Sequence, residues 1–245
     1  MAKTTLQVLM PMGGLGSRFT QAGYTTPKPL IEVDGIPMFM KALQSFSPLE
    51  NVRYIFVIRN DQNIQYNLKE AIQETLPSAI VHIVYQDTRG AVETCLIAEE
   101  SIDTDLPIAI ADCDIYFESD TYFNKIGNKD IDGMLLTFHS NDPRYSYVET
   151  DSSGKVIRTA EKVVISNNAI LGGYYFKSGK LFKELARSFT DSELPEHLKE
   201  YYLSHLFNLL IENGGNIEIA SIDTMHIFGT PEELSAYLNR RKDGV

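Results

Sequence analysis

Met10-Pro11-Met12-Gly13-Gly14-Leu15-Gly16-Ser17-Arg18, running on to Pro27-Lys28-Pro29, follows directly on the apolar residues Leu6, Val8 and Leu9. A short apolar run that empties into glycines reads as a buried strand delivering a loop to the top of a sheet, where α/β proteins place their ligands. Gly13, Gly14 and Gly16 carry no Cβ, so backbone N–H groups can converge there on an anion. Arg18 adds a fork of donors matched to phosphate oxygens. Lys28 stands between two prolines whose fixed φ restricts where this cation can go. Together these residues predict a polyphosphate cradle made of Met12, Gly13, Gly14, Gly16 and Ser17, with Arg18 and Lys28 supplying charge.

Two commoner phosphate motifs are excluded by the same stretch. A P-loop ends in Gly-Lys-Ser/Thr, whereas this loop continues Gly16-Ser17-Arg18. A dinucleotide fingerprint places a third glycine three positions after the second, where Phe19 stands. An ordinary Gly-rich turn would account for the glycines alone, but not for Arg18 together with the Pro-Lys-Pro clamp.

The 245 residues suit one α/β domain able to bury a sizeable core. Apolar content of 43% and charged content of 22% are those of a folded globular chain. A formal net charge of -11 offers no basic field for nucleic acid or an acidic membrane, so an anionic substrate needs a local cluster of cations. Cys95 and Cys113 are too few for a disulfide framework and lie among apolar neighbours, as buried thiols do in a reducing compartment. Lys3 is followed by only a short apolar run, and no stretch approaches the ~20 apolar residues of a membrane span, so a cytoplasmic protein with no membrane or nucleic-acid partner is expected. Oligomeric state is left open, a homo-oligomer included.

Beyond the loop, Leu30–Val33 reads as a short strand, Met38–Phe46 as a helix, Tyr54–Ile58 as a strand covered on both faces, 63–76 as a helix and Ile80–Tyr85 as a strand. This rhythm implies right-handed crossovers and a parallel sheet. Ile108–Ala111 then leads a short strand into Asp112-Cys113-Asp114. Carboxylates at the end of a buried strand are costly unless paired or bound to a cation. Mg²⁺ takes one or two carboxylates and completes its shell with phosphates and water, so Asp114 reads as the metal ligand and Asp112 as a second contact or a ribose partner. A helix-capping role is the alternative for one of them. Later strands are expected at 134–138, 145–149, 156–159, 171–176 and 217–222, with helices between them and one after Thr230-Pro231-Glu232-Glu233, a capping box with proline at its first helical position. The five histidines show no metal-ligand spacing.

Gly14-Leu15-Gly16-Ser17-Arg18 followed by Pro27-Lys28-Pro29-Leu30 resembles the signature of the sugar nucleotidyltransferases, or nucleotide-sugar pyrophosphorylases, and their cytidylyltransferase relatives, and the likeness runs from about Leu6 to Leu238. The resemblance implies the nucleotide-diphospho-sugar transferase fold: a Rossmann-like three-layer α/β/α domain with a central, mostly parallel sheet and a small acceptor-binding β insert. One domain over 1–245 is expected, nucleotide-binding to about 118 and acceptor-binding over about 132–230. It implies further that Gln86 and Gly90 read the nucleobase. Glu161 and Lys162 are implied to hold the acceptor's organic part and its phosphate, and Gly172 to let a strand approach the acceptor. Gly229-Thr230-Pro231-Glu232 resembles the family's closing motif. Relatives often carry a second metal Asp two residues before that glycine; here Ile227 stands there, and Asp223 is the expected substitute. Ser146 replaces a glycine usual in relatives, and Val163 a proline.

The reaction so implied moves an NMP from an NTP, CTP first and then UTP or dTTP, to a small phosphorylated acceptor, with Mg²⁺ and release of pyrophosphate. The compact chain resembles the capsule-associated and cytidylyltransferase-type members. Two rival readings are a glycosyltransferase using Asp112-Cys113-Asp114 as an Asp-x-Asp metal motif, and a non-catalytic nucleotide-sensing subunit.

Overall fold

The computed structural model describes residues 5–242 except 197, so His197 lies outside the described residues. The opening apolar run forms β1 (Leu6–Met12), buried along almost its whole length. Its alternate residues face two cores. Leu9 packs with the helices of one face, while Leu6, Val8, Met10 and Met12 pack with those of the other, as the period of two dictates for a strand covered on both sides. Gln7 is fully buried in this strand, and its amide is satisfied by the backbone of Asp103 and Leu106.

After the glycine loop come α1 (Ser17–Gln21), the small antiparallel pair β2 (Glu32–Val33) and β3 (Ile36–Pro37), and α2 (Met38–Leu43) with a 3₁₀ turn to Phe46. The expected strand over 30–33 is realised only at its end, because Lys28–Leu30 form a 3₁₀ turn with proline inside it. β4 (Val52–Arg59) and β5 (Ile80–Val84) flank α3 (Asn60–Tyr66) and α4 (Leu68–Thr75). The single helix expected there is broken at Asn67, which takes φ 50, a left-handed conformation that asparagine tolerates better than most residues.

Next are α5 (Ala91–Leu96), β6 (Ile108–Ile110), β7 (Ile115–Glu118), α6 (Asp120–Lys125), β8 (Gly133–His139), β9 (Ser146–Thr150), β10 (Val156–Ala160) and β11 (Asn168–Phe176). The chain closes with α7 (Gly179–Asp191), α8 (Leu203–Glu212), β12 (Ile217–Ser221), β13 (Thr224–Ile227) and α9 (Pro231–Lys242). Strands β5, β4, β1 and β6 lie parallel and side by side. β11 then runs antiparallel to β6 and carries β8 and β9 along its edges, β10 pairs with β9, and β12 runs parallel to β8. Helices α5, α7 and α8 cover one face through Cys95, Phe182 and Phe207; α2, α4 and α6 cover the other through Phe39, Ile72 and Tyr122. This is the expected three-layer fold, its parallel half built from the first 110 residues.

Two features escape the sequence pattern. β11 bulges between Leu171 and Tyr175, across Gly172 and Gly173, the latter at φ 136. β7 and β13 form a separate antiparallel ribbon pairing Ile115 with Ile227 and Glu118 with Thr224. Both of its strands are too short and mixed to stand out in the pattern. Among the described residues no helix is long and apolar enough to cross a membrane.

Candidate active site

β1 separates β4 from β6, and the helices that follow and precede these strands go to opposite faces, which opens a crevice at their carboxyl ends. Two lobes fill it and meet at Pro11, Gly14 and Asp112. One, of about 420 Å³, is lined by Arg18, Lys28, Asp114, Arg144 and Glu233. The other, of about 470 Å³, is lined by Gly13, Ser17, Asp87, Thr88, Gly90 and Glu200. The glycine loop is the rim between them. A Cβ on Gly14 would meet nothing within 4 Å, so the backbone there is open to the cleft. Gly16 takes the left-handed conformation at φ 63 and turns the chain into α1, bringing Arg18 to the first lobe.

Lys28 points its ammonium at Asp114, Nζ to Oδ2 2.5 Å, with both side chains mostly buried. Burial alone would pull the lysine pKa down; the Asp114 carboxylate more than offsets this, and Lys28 stays charged well above its ordinary value. Asp112 has no described hydrogen-bond donor to its carboxylate. Burial first, and then the charges of Asp114 and Glu161, push its pKa up to about 7 against the opposing pull of Lys28. Gly172 is there for Asp112: a Cβ on it would sit 2.1 Å from Asp112 Oδ2. The bulge in β11 therefore makes room for a carboxylate, and the sequence-expected Gly172 lies against the site through that side chain.

Two expectations need correction. Asp223 is not brought to the cleft. It lies beside Glu118 at the far end of the β7–β13 ribbon from Asp114, and its Oδ2 accepts from the Asp120 N–H at 2.8 Å, at the start of α6. Gln86 is exposed past the end of β5 and lines neither lobe; Asp87 and Thr88 do so instead. Gly90 does line the second lobe, but its φ of 144 and its lack of a side chain serve another contact. A Cβ would fall 2.6 Å from Tyr201 N, because residues 201 and 89–92 are joined by the bonds Tyr201 N–H to Arg89 O (2.9 Å) and Val92 N–H to Tyr201 O (3.1 Å). Arg89 lies outside the cleft, paired with Glu93 and stacked over the Tyr201 ring.

On the antiparallel side, Glu161 and Lys162 form a cluster of their own. Ser146 Oγ donates a very short bond to Glu161 Oε2, and Ser204 Oγ donates to the same oxygen at 3.0 Å. Lys162 Nζ lies 3.3 Å from Glu161 Oε1, donates to Tyr202 Oη at 3.1 Å and sits 4.5 Å from that ring's centroid. Lys162 holds φ 55, an uncommon conformation for a residue with a Cβ. This cluster is separate from the Lys28–Asp114 pair, and the charge of Glu161 reaches Asp112 and Tyr174.

Sequence reasoning missed Arg59, Arg144, Glu233 and Tyr202. Arg59 ties the loop after β1 to the loop after β5, donating through Nη1 to Gly13 O (3.4 Å) and Asp87 (2.7 Å). Arg144 pairs with Asp142 and with Glu233. Thr230 Oγ1 does cap α9 by accepting from Glu233 N–H at 3.2 Å, but the Glu233 carboxylate goes to Arg144, so only half of the capping box forms. No local spacing signals these partners, since Arg144 and Glu233 stand 89 residues apart.

The chain matches the Nucleotidyl transferase family over residues 7–214. It belongs to that family. The UTP--glucose-1-phosphate uridylyltransferase AglF of Haloferax volcanii is 21% identical over 233 residues, 93% of each chain. The 2-C-methyl-D-erythritol 4-phosphate cytidylyltransferase of Fusobacterium nucleatum is 24% identical over 163 residues, 65% of this chain and 68% of the relative. Among solved structures, the nucleoside-diphosphate-sugar pyrophosphorylase of Vibrio cholerae RC9 superposes with a TM-score of 0.83 at 27% identity, covering 95% of this chain and 99% of its own. The protein is thus a nucleotidyltransferase. Nucleotidyltransferases of this family use a divalent metal. Among the described residues no group of three or more His, Cys, Asp or Glu is placed to hold a metal by itself; Asp114, which lines the first lobe, offers the carboxylate oxygen that a cation takes when phosphates and water complete its shell.

Proposed function

We propose that this nucleotidyltransferase transfers an NMP from CTP, with UTP and dTTP next in preference, to a small phosphorylated acceptor, using Mg²⁺ and releasing pyrophosphate. An acceptor phosphate oxygen attacks the α-phosphorus in line, one P–O bond forms, and the bond to the bridging oxygen of pyrophosphate breaks. A phosphomonoester loses its second proton near pH 6, so the nucleophile is already charged at neutral pH and no general base is required. The protein's task is to hold two mutually repelling anions and to neutralise the charge that develops between them.

The single observation that carries this reading is the buried Lys28–Asp114 pair, 2.5 Å apart, beneath a glycine loop with Arg18 on the same lobe. Arg18 and the amides of Gly13, Gly14, Gly16 and Ser17, next to Met12, hold the β- and γ-phosphates. Lys28 holds the α-phosphate. Lys162 takes the acceptor phosphate, Glu161 its organic part, and Gly172, which leaves room for the Asp112 carboxylate, lets its strand approach the acceptor. Mg²⁺ on Asp114 would supply charge neutralisation at the α-phosphate. For the base, the second lobe presents the acceptors Asp87 and Glu200, which suits the exocyclic amine of cytosine, a donor that uracil and thymine lack. The nucleotide part is assigned to about 1–118 and the acceptor part to about 132–230. The likeness to sugar-1-phosphate and cytidylyl relatives supports an acceptor such as a sugar phosphate and a product used for cell-surface polysaccharide.

The test is pyrophosphate release with Mg²⁺, scanning CTP, UTP, dTTP, ATP and GTP against phosphorylated sugars, polyols and amino alcohols. Release that needs both CTP and one acceptor is the expected result. Release with another NTP corrects the base assignment, and release with no acceptor present removes the transfer reading.

A further inference from the structure

We propose that Glu233, at the start of α9, is the second carboxylate that holds the metal, facing Asp114 across Gly229; this rests on the reading of Asp114 as the first. A Cβ built on Gly229 would lie 3.1 Å from Asp114 Oδ2 and 3.2 Å from Glu233 Oε2. The two carboxylates thus flank one point in the first lobe, within the span that a hydrated Mg²⁺ with oxygens at about 2.0–2.1 Å bridges directly or through one of its waters. Only glycine leaves that point empty.

The two sides of the gap are held independently. On the Asp114 side, the Phe228 N–H donates to Asp114 O at 2.8 Å, which fixes the segment leading into α9 over the acidic strand end. On the other side, Glu233 Oε1 receives Arg144 Nη1 at 3.3 Å, while Arg144 is itself held by Asp142 through Nε at 2.9 Å. One carboxylate oxygen is therefore spent on an orienting guanidinium and the other faces Asp114. That division of labour is the one expected of a ligand positioned by an outer partner.

Charge points the same way. Asp112, Asp114 and Glu233 line a lobe whose cations are Lys28, already on Asp114, Arg144, already on Asp142 and Glu233, and Arg18. An incoming triphosphate adds negative charge to that balance, and Asp112 has no described donor to meet its carboxylate. A cation between Asp114 and Glu233 answers the excess and leaves Asp112 free for a substrate hydroxyl.

The experiment titrates Mn²⁺ alone into the full-length protein and follows free Mn²⁺ by electron paramagnetic resonance. Glu233→Gln is expected to weaken Mn²⁺ binding on the order of 10–100-fold, as is Asp114→Asn. Ile227 Cγ2 stands 3.7 Å from the same point beside Gly229, so Ile227→Asp added to Glu233→Gln should restore much of the affinity. Unchanged binding in Glu233→Gln with loss in Asp114→Asn overturns the proposal and leaves the Asp114 reading intact. Unchanged binding in Asp114→Asn removes that reading instead. In the unaltered protein, Mn²⁺ should shield Glu233 from carbodiimide labelling; equal labelling with and without Mn²⁺ overturns the proposal without recourse to any variant.

Discussion

The cleft's two sides are built on different plans. The phosphate side draws mostly on neighbours in sequence: the loop from Met12 to Arg18 leaves one strand, and Lys28 opens the 3₁₀ turn that follows α1. The acceptor side is assembled from afar, with Ser146, Glu161, Tyr202 and Ser204 brought from a strand, a loop and the start of a helix to one carboxylate and one ammonium. On the proposed reading, a cradle of consecutive backbone amides suits what every NTP shares, the polyphosphate, and a cluster of convergent side chains suits what distinguishes one acceptor from another.

The sharpest way to break this contrast is Lys28→Ala. Losing a preorganised cation at the site of charge development should cost about 2.7–4 kcal/mol in the barrier, on the order of 10²–10³ in kcat. Pyrophosphate release checks this, and an unchanged melting curve shows that the loss is chemical. Turnover retained within threefold would make the lysine an ordinary ion-pair partner.

Gly90→Ala should act on stability instead. The added methyl meets backbone at 2.6 Å in a conformation that alanine resists, and overpacking of this kind costs about 1–3 kcal/mol. Denaturant unfolding measures it; a neutral result would mean that the Tyr201 segment moves aside. Lys162→Ala should raise the KM for the acceptor about tenfold, as expected for about 1.4 kcal/mol of lost binding, and leave the KM for the NTP as it was. A rise in the NTP KM alone would move this lysine to the phosphate side. Smallest of all, Ser146→Gly removes one of two donors from Glu161 Oε2 and should cost about 1 kcal/mol of stability. It should also widen the range of acceptors accepted, read as the spread of kcat/KM over a panel.

The same contrast governs what the sequence discloses. That Gly14, Gly16, Arg18, Lys28 and Asp114 line one lobe follows from features the sequence displays, a glycine run and an acidic pair at strand ends and a lysine fixed between two prolines. The burial of β1 was legible from its apolar run. Asp223 misled because its distance from the closing glycine along the chain is short, while the β7–β13 ribbon, invisible to periodicity, carries it four residues away from Asp114. Gln86 misled because a strand end was placed one residue late; β5 stops at Val84. Arg59 and Arg144 left no mark at all, since a guanidinium that braces a loop looks like any surface arginine until its partners are known.

Tyr201 and Tyr202 are adjacent in the chain yet serve opposite sides of the cleft, one bonded through its backbone to the loop at Gly90, the other through its hydroxyl to Lys162. A shift of the backbone at 201–202 that moves the Tyr202 hydroxyl therefore also pulls on the loop at Gly90, so the two sides of the cleft are mechanically tied through one peptide bond.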